Sequence, residues 1–445
     1  MNLTLRQRIG NGLAAFRQKT QAPSSKEVYA YSPQYDRPDG KITDDLTFSQ
    51  LASHLAEGDS GDAATMLKLW SEMLGKDIRL RSVVNTRIAA LTGLEWEIVA
   101  GSKEANLEEK ANAAADYVRE TLGSLRDDTG KAVFPRALRK MAKAIPTNLG
   151  VLEIDWKGTV PVNLRPVSDT RLTIDYQQSP DVRIITDTSP MGIELPPNKF
   201  IVHIPDDTDV NPFAETTARA IATLWLAKKL CFYDWNRFAE LFGLPLRVGT
   251  YPEGTSETDK AAILAALENM GSCGYGIKRE GIEFVFQQAQ SRSEEPFSRI
   301  MEYIDRQISI GLLGGNLVAD TTGGTGTFAT IRIQNVVRRD LLINDIEAEA
   351  RTLEEQLFRP MIALKFPGRN VPVPKWTRIL SDPVDQNTTA TALVTMTRDL
   401  GLKVTNRAAY DLLNVPRPPE VDLDAPVTPP PLQPALPAFS ESSEE

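Results

Sequence analysis

The feature that most constrains this chain is a pair of long helical runs that enclose a small insert and a glycine-rich stretch. From Asn211-Pro212 to Phe242 the helical pattern is unbroken. Asn as N-cap with Pro in the first helical position is a start signal, and Gly243-Leu-Pro245 is a matching stop. Ile221, Leu224, Trp225, Phe232, Trp235, Ala239 and Phe242 fall on one stripe. About thirty residues rising about 1.5 Å each give a rod of roughly 45 Å. A helix beyond about 25 residues has a length set by reach rather than by packing in one small domain. The second run covers Ala329 to Phe358, with Leu342, Ile346, Ala350, Leu353 and Leu357 on one face and Pro360 just past its end.

Between the runs the pattern predicts a compact α/β insert. Leu246 to Tyr251 reads as a strand, and Ser256-Glu-Thr-Asp259 opens a helix that ends near Met270. Ile282, Phe284 and Phe286 alternate as a second strand, and a helix returns from Glu294 to Leu313. The chain's glycine-rich stretch, Gly311 to Phe328, follows.

Upstream, helices are expected over Ala63 to Lys76, Asp77 to Thr92, Glu104 to Leu122 and Phe134 to Ala144, with a strand at Glu95 to Val99. Gly93 reads as a left-handed stop to the second of these. From Gly150 to Ile204 the period changes to two. Val151-Leu-Glu-Ile-Asp-Trp156, Arg171 to Tyr176, Val182 to Thr186 and Phe200 to Ile204 are strands of an antiparallel sheet, so this half is α+β. Val371 to Trp376 is extended, and short helices at Gln386 to Leu400 and Asn406 to Leu413 close the folded part. From Pro416 onward, nine prolines and a Ser/Glu terminus cannot build a core, so disorder is expected. Leu5, Ile9, Leu13 and Phe16 mark a short amphipathic N-terminal arm, either docking on a partner subunit or a frayed end.

Of the 445 residues 41% are apolar and 24% charged, enough for a real core. A net charge of −9 argues against a protein that wraps nucleic acid by broad phosphate neutralisation. Two cysteines, Cys231 and Cys273, and two histidines, His54 and His203, make neither a disulfide framework nor a metal set, and fit a reducing compartment. The N-terminal stretch lacks the apolar core of a secretory signal, and no run is long enough to span a membrane.

Gly324-Thr-Gly326-Thr-Phe-Ala329 matches the dinucleotide fingerprint in letters only, because a helix rather than a strand precedes it. There is no G-x-x-x-x-G-K-[ST] motif, and neither histidine has an evident nucleophile partner. These features point away from an enzyme, and no cofactor is called for. A flexible loop with Gly314, Gly315, Asn316, Thr321, Thr322, Gly323, Gly324, Thr325, Gly326 and Thr327, and only Asp320 charged, suits repeated contact with a polyanion that is not gripped; the alternative is an ordinary surface loop. Arg292, Arg299 and Arg306 recur every seven residues on the returning helix and share one face. That face admits three readings: a basic stripe aimed at phosphates, salt bridges to a neighbouring copy, or a solvated surface.

Specific stretches bring in a family. Asp234-Trp-Asn-Arg-Phe-Ala-Glu-Leu-Phe-Gly-Leu-Pro-Leu-Arg-Val-Gly249, Gln307-Ile-Ser-Ile-Gly-Leu-Leu-Gly314, Leu353-Glu-Glu-Gln-Leu-Phe-Arg-Pro360 and Arg79-Leu-Arg-Ser-Val-Val-Asn-Thr-Arg-Ile-Ala-Ala90 followed by Glu95-Trp-Glu-Ile98 resemble the portal proteins of Mu-like tailed phages, over roughly residues 40 to 415. The resemblance implies a portal-type fold: an N-terminal arm to residue 40, an α+β wing over 41–211, stem helices at 212–243 and 291–313, and a small α/β clip at 244–290. A tunnel loop at 314–328, a wing return over 329–385 and a helical crown at 386–415 would complete it, ahead of a disordered tail at 416–445. It implies a ring, typically of twelve copies, at one capsid vertex, assembled in the host cytoplasm and carried in the virion, through which double-stranded DNA is packaged and ejected. Its partners would be the terminase large subunit, the major capsid and scaffold proteins and the head–tail connector, with no membrane. Clip contacts would run through Ile263, Leu267, Tyr275 and Phe284, and Arg292, Arg299 and Arg306 would be candidates to face the channel. The competing readings are another head–tail structural protein such as a connector, and a nucleotide-binding enzyme that uses the glycine-rich loop.

Overall fold

The computed structural model describes residues 29–30, 41–127, 129–175, 181–206, 213, 215–243, 247–269, 275–282, 295–315, 328–380, 386–413, 415 and 422–427. Two units separate, one up to Ile379 and one from Leu380. The expected N-terminal arm lies outside the described residues apart from Tyr29 and Ala30.

The first unit opens with three helices, α1 (Phe48–Asp59), α2 (Ala63–Lys76) and α3 (Ile78–Thr92). Each has a side-chain cap. Thr47 and Gln50 form a reciprocal capping box on α1, while the carboxylates of Asp62 and Asp77 accept from Thr65 N and Leu80 N at the starts of α2 and α3. The helix α1 was not anticipated, because its Thr-x-x-Gln box is a short signal. Gly93 does end α3, but in a right-handed conformation (φ −81°), not the left-handed one expected. Space is the physical reason for glycine there, since an added Cβ would lie 2.8 Å from the Ala89 carbonyl oxygen.

After β1 (Trp96–Val99) come α4 (Glu108–Ser124) and α5 (Phe134–Lys143), then β2 (Gly150–Lys157), β3 (Val160–Pro166), β4 (Leu172–Asp175), β5 (Asp181–Thr186), β6 (Ser189–Glu194) and β7 (Phe200–His203). They form two antiparallel three-stranded sheets, ordered β3-β2-β7 and β4-β5-β6. Alternation predicted four of these strands. The edge strands β3 and β6 escaped it because Pro161, Pro190 and Gly192 break their pattern, as the edge position allows.

Two long helices follow. The first, α6 (Thr217–Gly243), begins later than expected: Asn211 and Pro212 lie outside the described residues, and the hydroxyl of Thr216 accepts from Arg219 N at 3.3 Å as the cap. The insert is a parallel pair, β8 (Arg247–Tyr251) and β9 (Tyr275–Arg279), joined by α7 (Glu257–Glu268). Its second strand therefore lies upstream of the one expected; Ile282 follows a turn, and Phe284 and Phe286 lie outside the described residues. Next come α8 (Glu295–Leu313) and α9 (Phe328–Leu353). The latter does not stop at Pro360. A π-helical turn at Glu354–Phe358 leads into α10 (Arg359–Lys365), so the missing proline N–H and its ring are absorbed by one wide turn. Finally β10 (Lys375–Arg378) pairs antiparallel with β1, Trp96 opposite Arg378.

One apolar core joins α4 and α5 to the sheet and α10, a second lies among α1, α2, α3, α6 and α8, and a third sits under β4-β5-β6. Several polar groups inside them are paired. Both Glu349 oxygens accept from Arg378, and the Trp376 indole donates to the same carboxylate at 3.0 Å. Lys199 lies 3.0 Å from Glu153, whose other oxygen accepts from Tyr29 N and Ala30 N. His203 is buried with Nδ1 2.9 Å from the Thr352 hydroxyl. Burial, aided by the charge of Arg351, pushes its pKa down to about 3.

The second unit holds α11 (Gln386–Val394), a π-helical turn at Thr395–Asp399 and α12 (Asn406–Leu413). Residues 422–427 were expected to be disordered with the rest of the tail. They pair back instead, with Asn406 N and Arg407 N donating to the carbonyls of Ala425 and Leu423 and Val427 N to that of Val404. Their backbone groups thus find partners without a core.

Candidate functional site

The glycine-rich stretch leaves the body at the end of α8, and three elements hold that point. The start of α3 is fixed first. One oxygen of Asp77 caps α3, while the other accepts from Lys228 Nζ of α6 at 2.9 Å. Lys228 donates to Asp305 of α8 as well, at 2.6 Å, so a single ammonium ties α3, α6 and α8 together. One turn on, Arg79 Nη2 donates to the Ser309 hydroxyl at 3.2 Å.

Two turns further along α3 stands Arg87. Its Nε and Nη2 donate to the two oxygens of Asp345 on α9, at 3.0 and 2.9 Å, and its Nη1 donates to the Leu312 carbonyl at 3.0 Å. A guanidinium against the last carbonyls of α8 satisfies an otherwise open group and opposes the negative end of the helix dipole. Burial pushes the Asp345 carboxyl above the usual carboxylate range, against the downward pull of Arg87. Gly314 then turns the chain out in a left-handed conformation (φ +71°), its N–H donating to the Ile310 carbonyl at 2.9 Å. A Cβ there would stand 2.7 Å from Val337 Cγ1 of α9, so both conformation and space demand glycine. Two stretches that carry the family resemblance, Arg79 to Ala90 and Gln307 to Gly314, are thus in direct contact at this root.

Of the loop residues expected to matter, Gly314 and Gly315 stand at this root. Asn316, Thr321, Thr322, Gly323, Gly324, Thr325, Gly326 and Thr327 lie outside the described residues, as does Arg292. Arg299 and Arg306 are exposed on one face of α8, Arg299 beside Glu295, and they share that face with Ile300, Tyr303 and Ile310. The face is therefore mixed apolar and basic rather than a bare basic stripe. In the insert, Ile263 and Leu267 point inward: a Cβ on Gly249 would meet Ile263 Cγ2 at 2.8 Å and Leu267 Cδ1 at 3.2 Å. Val248, Leu264 and Ile282 are exposed apolar groups there. Tyr275 opens β9, its side chain outside the described set, and Phe284 lies outside it too.

The apolar stripe foreseen on α6 divides. Ile221 and Trp225 are buried against α1, α2, α3 and α8, whereas Phe232 is 51% exposed, next to Tyr233 at 61%. The facing α8 leaves Tyr303 57% exposed. Sequence reasoning missed Lys228, Arg87 and Asp345 altogether. The one available signal was Asp77, placed just before a helical run as an N-cap. Among the described residues no group of three or more His, Cys, Asp or Glu side chains is arranged to hold a metal, and no helix is long and apolar enough to cross a membrane.

The fold has a counterpart among solved structures. The fold matches a chain in the neck of an empty GTA particle computed with C6 symmetry, at a TM-score of 0.51 and 13% identity, over 79% of this chain and 94% of that one. A portal protein of the HK97 family from Corynebacterium diphtheriae aligns at a TM-score of 0.38 and 12% identity, over 69% of this chain and 94% of that chain. The model of the portal protein of Mu bacteriophage matches residues 67–415, and the chain belongs to that family. Relatives include the Mu-like prophage FluMu protein gp29 of Haemophilus influenzae, 26% identical over 380 residues, which cover 83% of this chain and 71% of that protein. The portal protein of Escherichia phage Mu is 28% identical over 323 residues, covering 72% of this chain but only 61% of that protein.

Proposed function

We propose that the chain is the repeating subunit of a closed portal ring at one vertex of a phage capsid, forming the channel through which double-stranded DNA is packaged and later ejected. The observation that carries this reading is the row of apolar and aromatic side chains that the subunit's own fold leaves uncovered on its long helices: Leu230, Phe232 and Tyr233 on α6, Ile300, Tyr303 and Ile310 on α8. An extended apolar face of this kind is stable in water only against another surface. Identical faces that meet head-to-tail close into a ring when the rotation between copies allows it. The insert points the same way. Two strands and one helix, with no fully buried residue on α7, cannot stabilise themselves alone and gain from neighbouring copies.

In this reading the α+β part is the wing, α6 and α8 the stem, the insert the clip, and residues 314–328 the loop lining the channel. The second unit's helices form the crown. The clip is the docking surface for the terminase large subunit during packaging and for the head–tail connector afterwards, and capsid and scaffold proteins meet the ring at assembly. Twelve copies are the expected number. The root described above suits a loop that works against passing DNA, because the clamp of Arg87, Asp345 and Gly314 fixes where it starts.

Mass photometry and negative-stain imaging of the purified full-length chain test the reading. A ring of roughly a dozen subunits supports it, and a monomer or dimer at micromolar concentration overturns it. Shortening residues 316–327 should leave the ring intact while impairing DNA packaging or retention. Loss of the ring instead would make that segment a structural one.

A further inference from the structure

The short stretch ahead of α1 is fastened from two sides. Ile42 N and Thr43 N donate to the two carboxylate oxygens of Glu72 on α2, at 3.0 and 3.1 Å, and the Thr43 hydroxyl donates to the same carboxylate at 2.6 Å. Lys76, one turn further along α2, donates to the Thr43 hydroxyl and to Asp44 Oδ1. From the other side Lys229 of α6 donates to the backbone carbonyls of Thr43 and Asp44. Thr43 is fully buried, and Ile42 and Leu46 pack on the core shared by α1, α2, α3, α6 and α8. Against the cost of burial, the Thr43 hydroxyl and the two amides hold the Glu72 carboxyl below the usual carboxylate range. Residues 42–46 are thus a strap drawn across from α2 to α6.

The strap lands on a boundary. Before Lys229, Trp225 and Leu226 are buried; after it, Leu230, Phe232 and Tyr233 are exposed. The Lys229 ammonium lies 6.0 Å from the ring centroid of Trp225 and 5.9 Å from that of Tyr233, one ring on each side of the boundary. Lys228, next to it, is bonded to Asp77 and Asp305. Consecutive residues point about 100° apart round a helix, so the two ammonium groups hold one cross-section of α6 from two directions. Tilting the helix there would break charge-assisted hydrogen bonds, which are the stronger kind.

We propose that the strap is a lock on the outer half of α6: it fixes the direction in which residues 230–243 leave the body, and lifting it frees them to swing. Glu72 is then a positioning residue. Among the described residues it has no hydrogen bond or ion pair to α6, and it acts on that helix through Ile42 and Thr43 alone. The segment before α1 becomes a control point, because a partner that draws residues 42–44 off Glu72 would loosen α6 without touching it. The lock belongs to the single subunit, so it does not depend on the ring.

Hydrogen–deuterium exchange tests this on the full-length chain, diluted until free subunits are present and no neighbouring copy masks the stem. In Glu72→Gln the side chain keeps its shape but loses its charge and offers one accepting oxygen in place of two. Amides of residues 230–243 should exchange about tenfold faster than in the wild type, the effect of losing a charged acceptor. Residues 217–227, held by the body, should change by less than about twofold. Lys229→Met removes both carbonyl bonds, keeps an apolar stem beside Trp225 and should give the same pattern; it carries the test if Glu72→Gln does not fold. Unchanged exchange over 230–243 in a folded variant would overturn the proposal. Faster exchange along the whole of α6, with a lowered unfolding midpoint, would overturn it too, because the segment would then only complete the core. Mass photometry of the ring is a separate measurement, and either result can fail without the other.

Discussion

The two halves of α6 carry the same kind of residue and meet opposite fates. Over the first half, Ile221, Ala222, Trp225 and Leu226 are buried, and Lys228 and Lys229 fasten the helix to Asp77, Asp305 and the backbone carbonyls of Thr43 and Asp44. Beyond Lys229, Leu230, Phe232 and Tyr233 face outward, while Cys231 meets the Phe297 carbonyl and Phe238 the Phe297 ring on α8. The lesson is that an apolar stripe says a surface will be covered, but not by which molecule. A body that covers itself and a stem that does not should respond to mutation in different currencies: subunit stability in one, assembly in the other.

The largest effect on stability is expected at Trp225. Trp225→Ala removes a buried side chain from the middle of the core among α1, α2, α3, α6 and α8 and should cost about 4 kcal/mol, read as a lowered denaturant midpoint. A loss below about 1 kcal/mol would break the comparison, because it would mean the first half of α6 is not held by its own chain. Next comes the loop root. Asp345→Ala strands the Arg87 guanidinium in a buried site and should cost about 3 kcal/mol. At the boundary between body and loop, Gly314→Ala forces a left-handed alanine and displaces Val337, for about 2 kcal/mol. Both measurements use the same midpoint assay, and the order of the three is itself the prediction.

The body also carries a pH signature. In the folded protein His203 stays neutral down to about pH 3, whereas the unfolded chain takes up the proton near pH 6.5. Its folded pKa is depressed, so the stability it confers is fully present above pH 6.5 and is lost as the pH falls from there toward 3. The slope from this one group reaches at most ~1.4 kcal/mol per pH unit. Unfolding midpoints of the wild type and His203→Gln, compared from pH 7 to 4.5, should converge as the pH drops. Parallel curves would mean that His203 is not held neutral by burial.

How far these features could be read in the sequence follows the range of the interactions behind them. The helices α2, α3 and α7 announce themselves through caps and periodicity within a few residues, at Asp62, Asp77 and Ser256, and α5 through its periodicity alone. The π-helical turn before Pro360 is a tertiary adjustment, and the local rule that proline ends a helix misplaced that boundary. In the insert, the alternation of Ile282, Phe284 and Phe286 outweighed the weaker Tyr275-Gly-Ile-Lys-Arg279, whose strand character comes from pairing with β8. The clamp at the loop root was out of reach, because Arg87 and Asp345 are 258 residues apart and neither is unusual in its own helix. The family resemblance marked the stretches that meet there without showing that they meet.

The smallest expected effect on the subunit is the one that most sharpens the comparison. Phe232→Ser with Tyr233→Ser replaces two exposed rings on the second half of α6. Exposed positions that contact no core change stability by no more than about 0.5 kcal/mol, so the unfolding midpoint of the subunit should barely move. If these rings are covered by a neighbouring copy, the same variant should shift the mass distribution from rings toward free subunits. Loss of a central aromatic anchor at an interface costs about 2 kcal/mol or more per site. In a closed ring that loss recurs at every subunit boundary, so a modest change per contact becomes a large change in assembly. Rings that persist at wild-type abundance would show that the uncovered face of α6 is not the surface that joins subunits. A drop in the subunit's own midpoint to match Trp225→Ala would show instead that the two halves of the helix do not differ in kind.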